Sequence, residues 1–416
     1  MRICHVSPHL PPDQAANALL PAQLGTWSHE QGHQVAFVAG EVRQGGPVRQ
    51  VRQVRQVRQV RQVRGVRGVR QVPEAAGVVL PGPVVRTRGR STSRLARLLR
   101  IDTVNRGRSI AAALDQVATG SDVLHLHSNG LIIEVAAAWA LRRGIPFILT
   151  LYGTEIWHYR RRWPVDPFTR AYNAAAAVTF YSQGLLDKAR ELGLDRPNLS
   201  VVYPPVSASF IDVDEPTRVD WRLALGITEP RVVLNVKRLH PLAGQKHLID
   251  AFARIASTRT DVRLVICGTG PLRAELEQRA QAAGIADRVT FAGLVPNDRI
   301  ARYAAAADVF VLPSELEALP TVAVEALAAG TPVVSTDHPG GTELHALFGD
   351  DVQVVPRGDV DGLARLVADA LARPRRTHTT TAAIVRERFG PTAVRDAYER
   401  IYHQVTAPTS GTAPAP

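Results

Sequence analysis

Two glutamates, Glu317 and Glu325, stand eight residues apart between an apolar run and an alanine-rich run. Residues 308–313 predict a buried parallel strand that Pro313 ends. Residues 321–329 predict a helix that ends at Gly330. The first N–H groups of a helix are unpaired and lie at its positive dipole end, so this turn suits a phosphate. One turn further, the Glu325 carboxylate can accept hydrogen bonds from two vicinal sugar hydroxyls.

A second group of candidate residues follows the apolar run that ends at Val236. Lys237 and Arg238 come directly after it, at the strand edge where doubly wound sheets bind ligands. The guanidinium of Arg238 can bind two phosphate oxygens at once. The next strand is followed by Gly268 and Gly270, whose lack of a side chain permits a tight turn and close backbone approach to a ligand.

The whole chain alternates strand and helix patterns, in two sets. The predicted strands are Ile3–Val6, Gln34–Val38, Val123–His127, Phe147–Leu151, Ala177–Phe180, Ser200–Tyr203, Val232–Val236, Arg263–Cys267, Val289–Phe291, Val309–Leu312, Pro332–Ser335 and Val352–Val355. The predicted helices lie near 18–31, 108–118, 131–142, 183–192, 246–256, 271–283, 297–306, 321–329, 360–372 and 391–405. This alternation predicts an α/β fold with two Rossmann-like, doubly wound parallel-sheet domains that face a central cleft.

The stretch from Pro313 to Val334 resembles the donor-site motif of retaining glycosyltransferases of family four, in which seven residues separate two glutamates. Weaker resemblance extends from residue 1 to about residue 405. The resemblance implies the GT-B fold and transfer of a sugar from a nucleotide-diphosphate sugar to a hydroxyl acceptor. It implies no metal or other cofactor, with the nucleotide sugar as co-substrate.

The resemblance also implies roles for individual residues. Arg238 and the amides of Thr321 and Val322 would bind the donor diphosphate, and Glu325 would bind the ribose. Glu317 would contact the sugar or stabilise its developing positive charge, with His127 on the opposite side. Further residues expected at the donor are Gly268, Gly270, Val295 and Leu319.

One departure from the family concerns a lysine. Relatives carry Lys-Gly where this chain has Ala243-Gly244. Either Lys246 or Lys237 could supply the missing charge, and Lys246 is the prediction.

The acceptor side is expected in the first domain. The strand Val123–His127 ends with His125 and His127, which alternation places on one face, either as packing histidines or toward the sugar. The turn at Tyr152 and Glu155 resembles a family turn, although Glu155 could equally cap the helix that follows. Asn17 stands next to two alanines where relatives have two glycines, and its side chain could donate a hydrogen bond instead.

The resemblance and the composition together predict the domain limits. Residues 1–206 form the acceptor-side domain and residues 207–387 the donor domain. A helix at 388–406 crosses back to the first domain, and residues 407–416 form a disordered tail.

The positive charge is concentrated in residues 43–108. This segment contains 17 arginines against Glu74 and Asp102, a local charge of +15 in a chain whose total is +12. Within it, residues 48–72 repeat Val-Arg-Gln with a period of three, which fits neither a strand nor an α-helix. It is read as a flexible insertion or as a cationic arm for anionic lipid or an acidic acceptor. Nucleic-acid binding is disfavoured because no aromatic residues interleave.

A second basic stretch, residues 91–100, predicts a helix that either packs on its own domain or faces an acceptor or membrane.

Several classes of protein are disfavoured by composition. Cys4 and Cys267 are too few for a disulfide framework or a cysteine metal site, and both lie in strand-like runs. The pair Asp212 and Asp214 is read as a helix-flanking turn rather than a metal motif. No secretory signal or run of 18 apolar residues is visible, which predicts a cytoplasmic protein with peripheral membrane contact as an option.

Two other functions remain open at this point. The same fold could serve a nucleotide-sugar epimerase, which would turn over without an acceptor. It could also serve a nucleotide-sugar binding protein that has lost catalysis. The residues do not distinguish among a secondary metabolite, a lipid and an envelope glycan as acceptor. They also do not identify the nucleotide base or the sugar of the donor.

Overall fold

The structure is a computed structural model that describes residues 1–11, 13, 16–41, 80–87, 101–161 and 166–407 of the 416. The repeat at 48–72, the basic stretch at 91–100 and residues 408–416 therefore lie outside the described residues, and the Arg-rich segment 43–108 is described only at its 80–87 and 101–108 portions. The side chain of Asn17 is likewise outside the described part.

The chain divides into two compact units. The first comprises Met1–Phe180, Gly193–Ser200 and Tyr398–Pro416, and the second comprises Tyr181–Leu192 and Val201–Ala397. Each unit is built around its own parallel sheet.

The sheet of the first unit has seven strands in the order β3-β2-β1-β4-β5-β6-β7. They are β1 Arg2–Ser7, β2 Gln34–Ala39, β3 Val84–Arg86, β4 Val123–His127, β5 Phe147–Leu151, β6 Ala177–Phe180 and β7 Leu199–Val201. The pairings from β3 through β6 are parallel. Only β3 escaped prediction, because it is three residues long and follows the turn-forming Pro81-Gly82-Pro83.

The sheet of the second unit has six strands in the order β10-β9-β8-β11-β12-β13, all parallel. They are β8 Arg231–Val236, β9 Val262–Cys267, β10 Val289–Gly293, β11 Val309–Leu312, β12 Val333–Thr336 and β13 Val352–Val355. With two parallel α/β units, the predicted fold class is confirmed.

The described α-helices connect these strands. They are α1 Ala16–Glu30, α2 Ile101–Val117, α3 Leu131–Arg142, α4 Thr154–Trp157, α5 Pro167–Ala174, α6 Gln183–Glu191, α7 Glu215–Ala224, α8 Gln245–Ala256, α9 Arg273–Ala282, α10 Asn297–Ala306, α11 Thr321–Ala328, α12 Pro339–Phe348, α13 Val360–Ala372, α14 Thr379–Ile384 and α15 Pro391–Thr406. In the described part of the chain, no helix is long and apolar enough to cross a bilayer.

Three longer helices were not predicted, for a common reason. Helices α5, α7 and α12 each carry a proline at their first or second position, and α12 continues with Gly340 and Gly341. Such residues suggest turns, although proline is well suited to the first turn of a helix. The acidic pair before α7 has the predicted flanking role, because the side chain of Asp214 accepts a hydrogen bond from Thr217 N at 3.1 Å.

A buried carboxylate fixes α7 to the second sheet. Asp308 precedes β11, and its two oxygens lie 3.2 Å from Arg218 Nη2 and 2.9 Å from Arg222 Nη2. The same carboxylate accepts a hydrogen bond from Val232 N at 2.7 Å, which ties it to β8 as well. All three charged side chains are buried. The network therefore sets the position of β8 relative to β11.

Replacing Asp308 by alanine should destabilise the second unit by about 3–5 kcal/mol, because buried Arg222 would lose its counter-ion and buried Arg218 would keep only the exposed Glu215. Urea unfolding of the variant measures this loss. The matched control is Asp361→Ala, which breaks the exposed ion pair with Arg254 and should change stability little. Equal effects of the two substitutions would contradict this account of the network.

Candidate functional site

The second sheet brings a predicted glutamate and a lysine together. Strands β8 and β11 are neighbours, with Val309 paired to Val233 and Phe310 to Leu234. Lys237 follows β8, and its Nζ lies 2.5 Å from Glu317 Oε1 in the loop after β11. The chain runs from β8 through β9 to β10 on one side and returns to β11 on the other, so this gap is a topological switch point. Open α/β sheets bind ligands at such points.

Helix α11 begins next to this pair. No side chain among the described residues caps its first turn, which follows Pro320. Its first two residues, Thr321 and Val322, are partly buried, and Leu319 before them is buried. The helix therefore presents free backbone N–H groups beside the Glu317 loop, as a phosphate site requires.

Glu325 lies one turn into α11, and its side chain is partly buried. Within the described part of the chain, its carboxylate forms no hydrogen bond or ion pair. Burial therefore raises the pKa of Glu325 from 4.5 to about 7. A partly desolvated carboxylate without a protein partner has hydrogen-bonding capacity left for a ligand that donates hydrogen bonds.

The other two predicted cations are exposed. Arg238 follows Lys237, and its carbonyl accepts a hydrogen bond from Gln245 Nε2 at 3.2 Å. Lys246 is the second residue of α8.

Ala243, where the resemblance leads one to expect lysine, is buried. The glycine after it has φ 67°, and a Cβ there would lie 1.8 Å from Pro313 O, so only glycine lets this loop approach the end of β11.

Gly268 and Gly270 also permit close approach, but to protein backbone. A Cβ on Gly268 would lie 2.0 Å from Lys237 O, and a Cβ on Gly270 would lie 2.1 Å from Leu239 O. The two glycines thus hold the loop after β9 against the Lys237–Leu239 loop. Val295, after β10, is partly buried against the core. Donor contacts by these residues stay predictions.

The start of α12, which was not predicted from the sequence, is a further element at this edge. Gly340 N donates to Glu317 O at 3.1 Å, and a Cβ on Gly340 would lie 2.7 Å from Pro320 Cδ. His338 caps the helix, with its Nδ1 2.9 Å from Gly341 N. Burial, together with the charges of Lys237 and Arg357, lowers the pKa of His338 to about 4. The signal was present as His-Pro-Gly-Gly, a cap residue followed by proline.

In the first unit, three buried histidines meet at the corresponding switch point, where β1 lies between β2 and β4. His5 on β1 is paired with His125 on β4, and His127 lies two residues further on the same face. The ring centroids of His125 and His127 are 4.0 Å apart. His5 was not predicted as part of this group, because its proximity to His125 and His127 depends on the pairing of β1 with β4, which are far apart in the sequence.

The three imidazole rings form hydrogen bonds with one another and with neighbouring hydroxyl groups. His125 contacts Tyr402 Oη through Nδ1 and Thr150 Oγ1 through Nε2, both at 2.7 Å. His127 Nε2 lies 3.1 Å from His5 Nδ1. The ligating atoms of the three histidines lie within 4.8 Å of one another, as a metal site would require. Since both nitrogens of His125 are already engaged, the cluster is better described as a hydrogen-bonded network.

His127 was predicted to face the transferred sugar. In this structure it has no exposed surface, and Tyr152 Oη lies 2.9 Å from its Nδ1. Tyr152 itself is partly exposed. A sugar would therefore have to displace Tyr152 to reach His127, and the predicted contact stays a prediction.

Glu155 is buried, and its carboxylate organises the turn before α4. Oε2 accepts hydrogen bonds from Tyr152 N at 3.2 Å and Gly153 N at 2.8 Å, and Oε1 accepts one from Ser128 Oγ. Ser128 has φ 77°, a strained value for a residue other than glycine. The alternative structural role of Glu155 thus has direct support, and its contact with an acceptor stays a prediction.

Family models match most of the chain. Residues 218–388 match the model described as Glycosyl transferases group 1, and residues 22–210 match the model described as Glycosyltransferase Family 4. The first match contains the Lys237–Glu317 pair and Glu325, and the second contains His125 and His127.

Relatives with similar sequences carry glycosyltransferase names. The chain is 30% identical over 310 residues to a GDP-mannose-dependent alpha-(1-6)-phosphatidylinositol monomannoside mannosyltransferase of Mycobacterium tuberculosis, covering 71% of this chain and 72% of the relative. It is 29% identical over 299 residues to a 2-deoxystreptamine N-acetyl-D-glucosaminyltransferase of Streptomyces fradiae, covering 67% and 70%.

Solved structures share the fold. A sucrose-phosphate synthase from Thermosynechococcus elongatus has a TM-score of 0.72 at 22% identity, covering 98% of this chain and 99% of that chain. HepE from Anabaena, in complex with UDP, has a TM-score of 0.71 at 19% identity, covering 97% and 100%. The expected GT-B fold class is thereby confirmed.

The histidine network should make the first unit sensitive to acid. Burial lowers the pKa of His5 to about 3 and holds the pKa values of His125 and His127 well below 6.5. The unfolded chain binds more protons below about pH 6.5, so stability should fall as the pH decreases, by up to about 4 kcal/mol per pH unit for three histidines. Urea unfolding at pH 7.5, 6.5 and 5.5, with hydrogen exchange of the β4 peptide, measures the slope.

His5→Phe should reduce this slope by about one third, since one buried titrating group is removed. His403→Gln, at an exposed position on α15, is the control that should keep the wild-type slope. A His5→Phe protein with the wild-type slope would show that the network does not titrate as described.

Proposed function

The chain belongs to the glycosyl transferases group 1 family and is a glycosyltransferase; on that premise, we propose that it retains the anomeric configuration of the sugar that it transfers. The donor is a nucleoside-diphosphate sugar, and the acceptor is a hydroxyl group. The observation that carries the proposed donor site is Glu325, a partly buried carboxylate without a partner among the described residues, in a helix whose first turn has no side-chain cap. Retention itself rests on the resemblance of the Glu317–Glu325 motif to retaining enzymes of family four.

The donor lies at the switch point between β8 and β11 in this proposal. Free N–H groups of Thr321 and Val322 bind the diphosphate together with Arg238, whose exposed guanidinium is able to bridge two oxygens. Glu325 accepts hydrogen bonds from the ribose hydroxyls. Such bonds favour the ionised carboxylate and offset its desolvation.

The chemistry follows from the charges around the departing diphosphate. When the bond from the sugar to the diphosphate breaks, negative charge develops on the phosphate oxygens and positive charge on the sugar ring. Fixed cations and helix N–H groups stabilise the leaving group, and Glu317 stabilises the sugar. A phosphate oxygen of the leaving group takes the acceptor proton, and no metal is required in this scheme.

The acceptor is proposed from the names of the relatives. One relative is named for 2-deoxystreptamine and the other for phosphatidylinositol monomannoside. We therefore expect the hydroxyl of a secondary metabolite, or of a lipid-linked or envelope glycan, as acceptor. Contact of the Arg-rich segment with an anionic membrane stays a prediction, because most of that segment lies outside the described residues.

Thermal unfolding in the presence of UDP, GDP, ADP and dTDP tests the proposal. One nucleotide at 100 times its dissociation constant should stabilise the protein by about 2.7 kcal/mol. Glu325→Ala should weaken this stabilisation, because the ribose loses its acceptor. Glu387→Ala, at an exposed position of the same unit, should leave it intact. If none of the four nucleotides stabilises the wild type, the donor site as described does not exist.

A further inference from the structure

Lys237 is the lysine that lies at the proposed donor site in this structure. Its ammonium is 2.5 Å from Glu317 Oε1, and the side chains of the two residues are only 26% and 17% exposed. Lys237 directly follows β8, and Glu317 lies in the loop after the neighbouring strand β11, so the pair joins two adjacent connections of the sheet. Lys246, by contrast, is exposed and forms no ion pair in the part of the chain described. Ordering Lys246 on a phosphate would cost more side-chain entropy than using a lysine already in place.

Other charged groups lie near Lys237. Burial is the main cause of the lowered pKa of His338, and the charges of Lys237 and Arg357 add to it. Arg357 is itself paired with Asp337 at 2.9 Å. The N-terminus of α11 adds its dipole at the same edge. Glu317 is the carboxylate that offsets the charge of Lys237 in the free protein. A diphosphate that enters this edge would bring two negative charges and compete with Glu317 for the ammonium.

We propose that Lys237 is a catalytic residue that exchanges partners: it pairs with Glu317 in the free protein and with the donor diphosphate in the complex. This inference rests on the proposed glycosyltransferase function. The exchange delivers the ammonium to the leaving group and frees Glu317 for the sugar, so that both groups become available only when donor is bound. No bond is made or broken in this step, and one ion pair replaces another.

The exchange predicts that substitutions of Lys237 and of Glu317 change the affinity for nucleoside diphosphate in opposite directions. Lys237→Met should weaken binding of the nucleoside diphosphate by about tenfold or more, because the phosphate loses a cation. Glu317→Gln should tighten the same binding several-fold, because the diphosphate no longer competes with a carboxylate for Lys237. The double variant should show no such tightening, since the gain depends on the lysine. Transfer to an acceptor should be lost in both single variants.

Calorimetric titration with UDP, GDP, ADP or dTDP, whichever stabilises the wild type most, measures these affinities. Lys237→Arg should retain most of the binding, which separates lost charge from lost folding. Lys188→Met is the matched control, since this lysine pairs with Glu191 at an exposed site, and it should bind like the wild type. Thermal unfolding without nucleotide verifies that each variant is folded.

The outcomes separate the inference from the function on which it rests. If Lys246→Met loses binding and Lys237→Met does not, Lys246 is the phosphate lysine and the inference is wrong. If Glu317→Gln binds no tighter than the wild type, the exchange does not occur. Wild-type binding that is weakened by Glu325→Ala, with Lys237→Met unchanged, would leave the proposed function standing and overturn the role of Lys237. If the wild type binds none of the four nucleotides, both fail.

Discussion

Both units depend on one constraint, the point where a parallel sheet changes the direction in which strands are added. Strand β1 lies between β2 and β4, and β8 lies between β9 and β11. At such a point, the connections leave the central strand toward opposite sides, so the carboxyl ends of two neighbouring strands remain uncovered. This geometry places the residues that are candidates for binding or catalysis. His127 ends β4, Lys237 follows β8, and Glu317 lies in the loop after β11.

The polar groups at the two switch points differ in the hydrogen bonds that the protein itself supplies to them. In the first unit, buried imidazoles stay neutral and pair with each other and with Thr150, Tyr152 and Tyr402, which leaves only His5 Nε2 of their nitrogens without a partner among the described residues. In the second, Glu325 is desolvated without a partner, and α11 begins without a side-chain cap. A carboxylate that burial desolvates and that has no protein partner costs stability in the free protein, and a ligand that donates hydrogen bonds offsets this cost.

The sequence predicted the elements better than the contacts between them. Strands Val123–His127 and Val309–Leu312 were located at their observed bounds, since buried parallel strands are continuous apolar runs. The Lys237–Glu317 pair could not be located, because it depends on the pairing of strands far apart in sequence. For the same reason, the sequence could not show that Lys237 lies beside Glu317, and the role of Lys246 stays a prediction. Helix α12 was missed because Pro339-Gly340-Gly341 suggests a turn.

The most direct test of the central claim, that Glu325 is a ribose carboxylate kept unpartnered for the donor, is the number of protons released on binding. With a pKa of about 7, Glu325 is mostly protonated in the free protein at pH 6.5, and hydrogen bonds from the ribose should lower that pKa. Calorimetry of nucleotide-sugar binding, in two buffers of different ionisation enthalpy, should show release of most of one proton per site. Glu325→Gln should release none. Equal proton release by the wild type and the variant would contradict the assignment of Glu325.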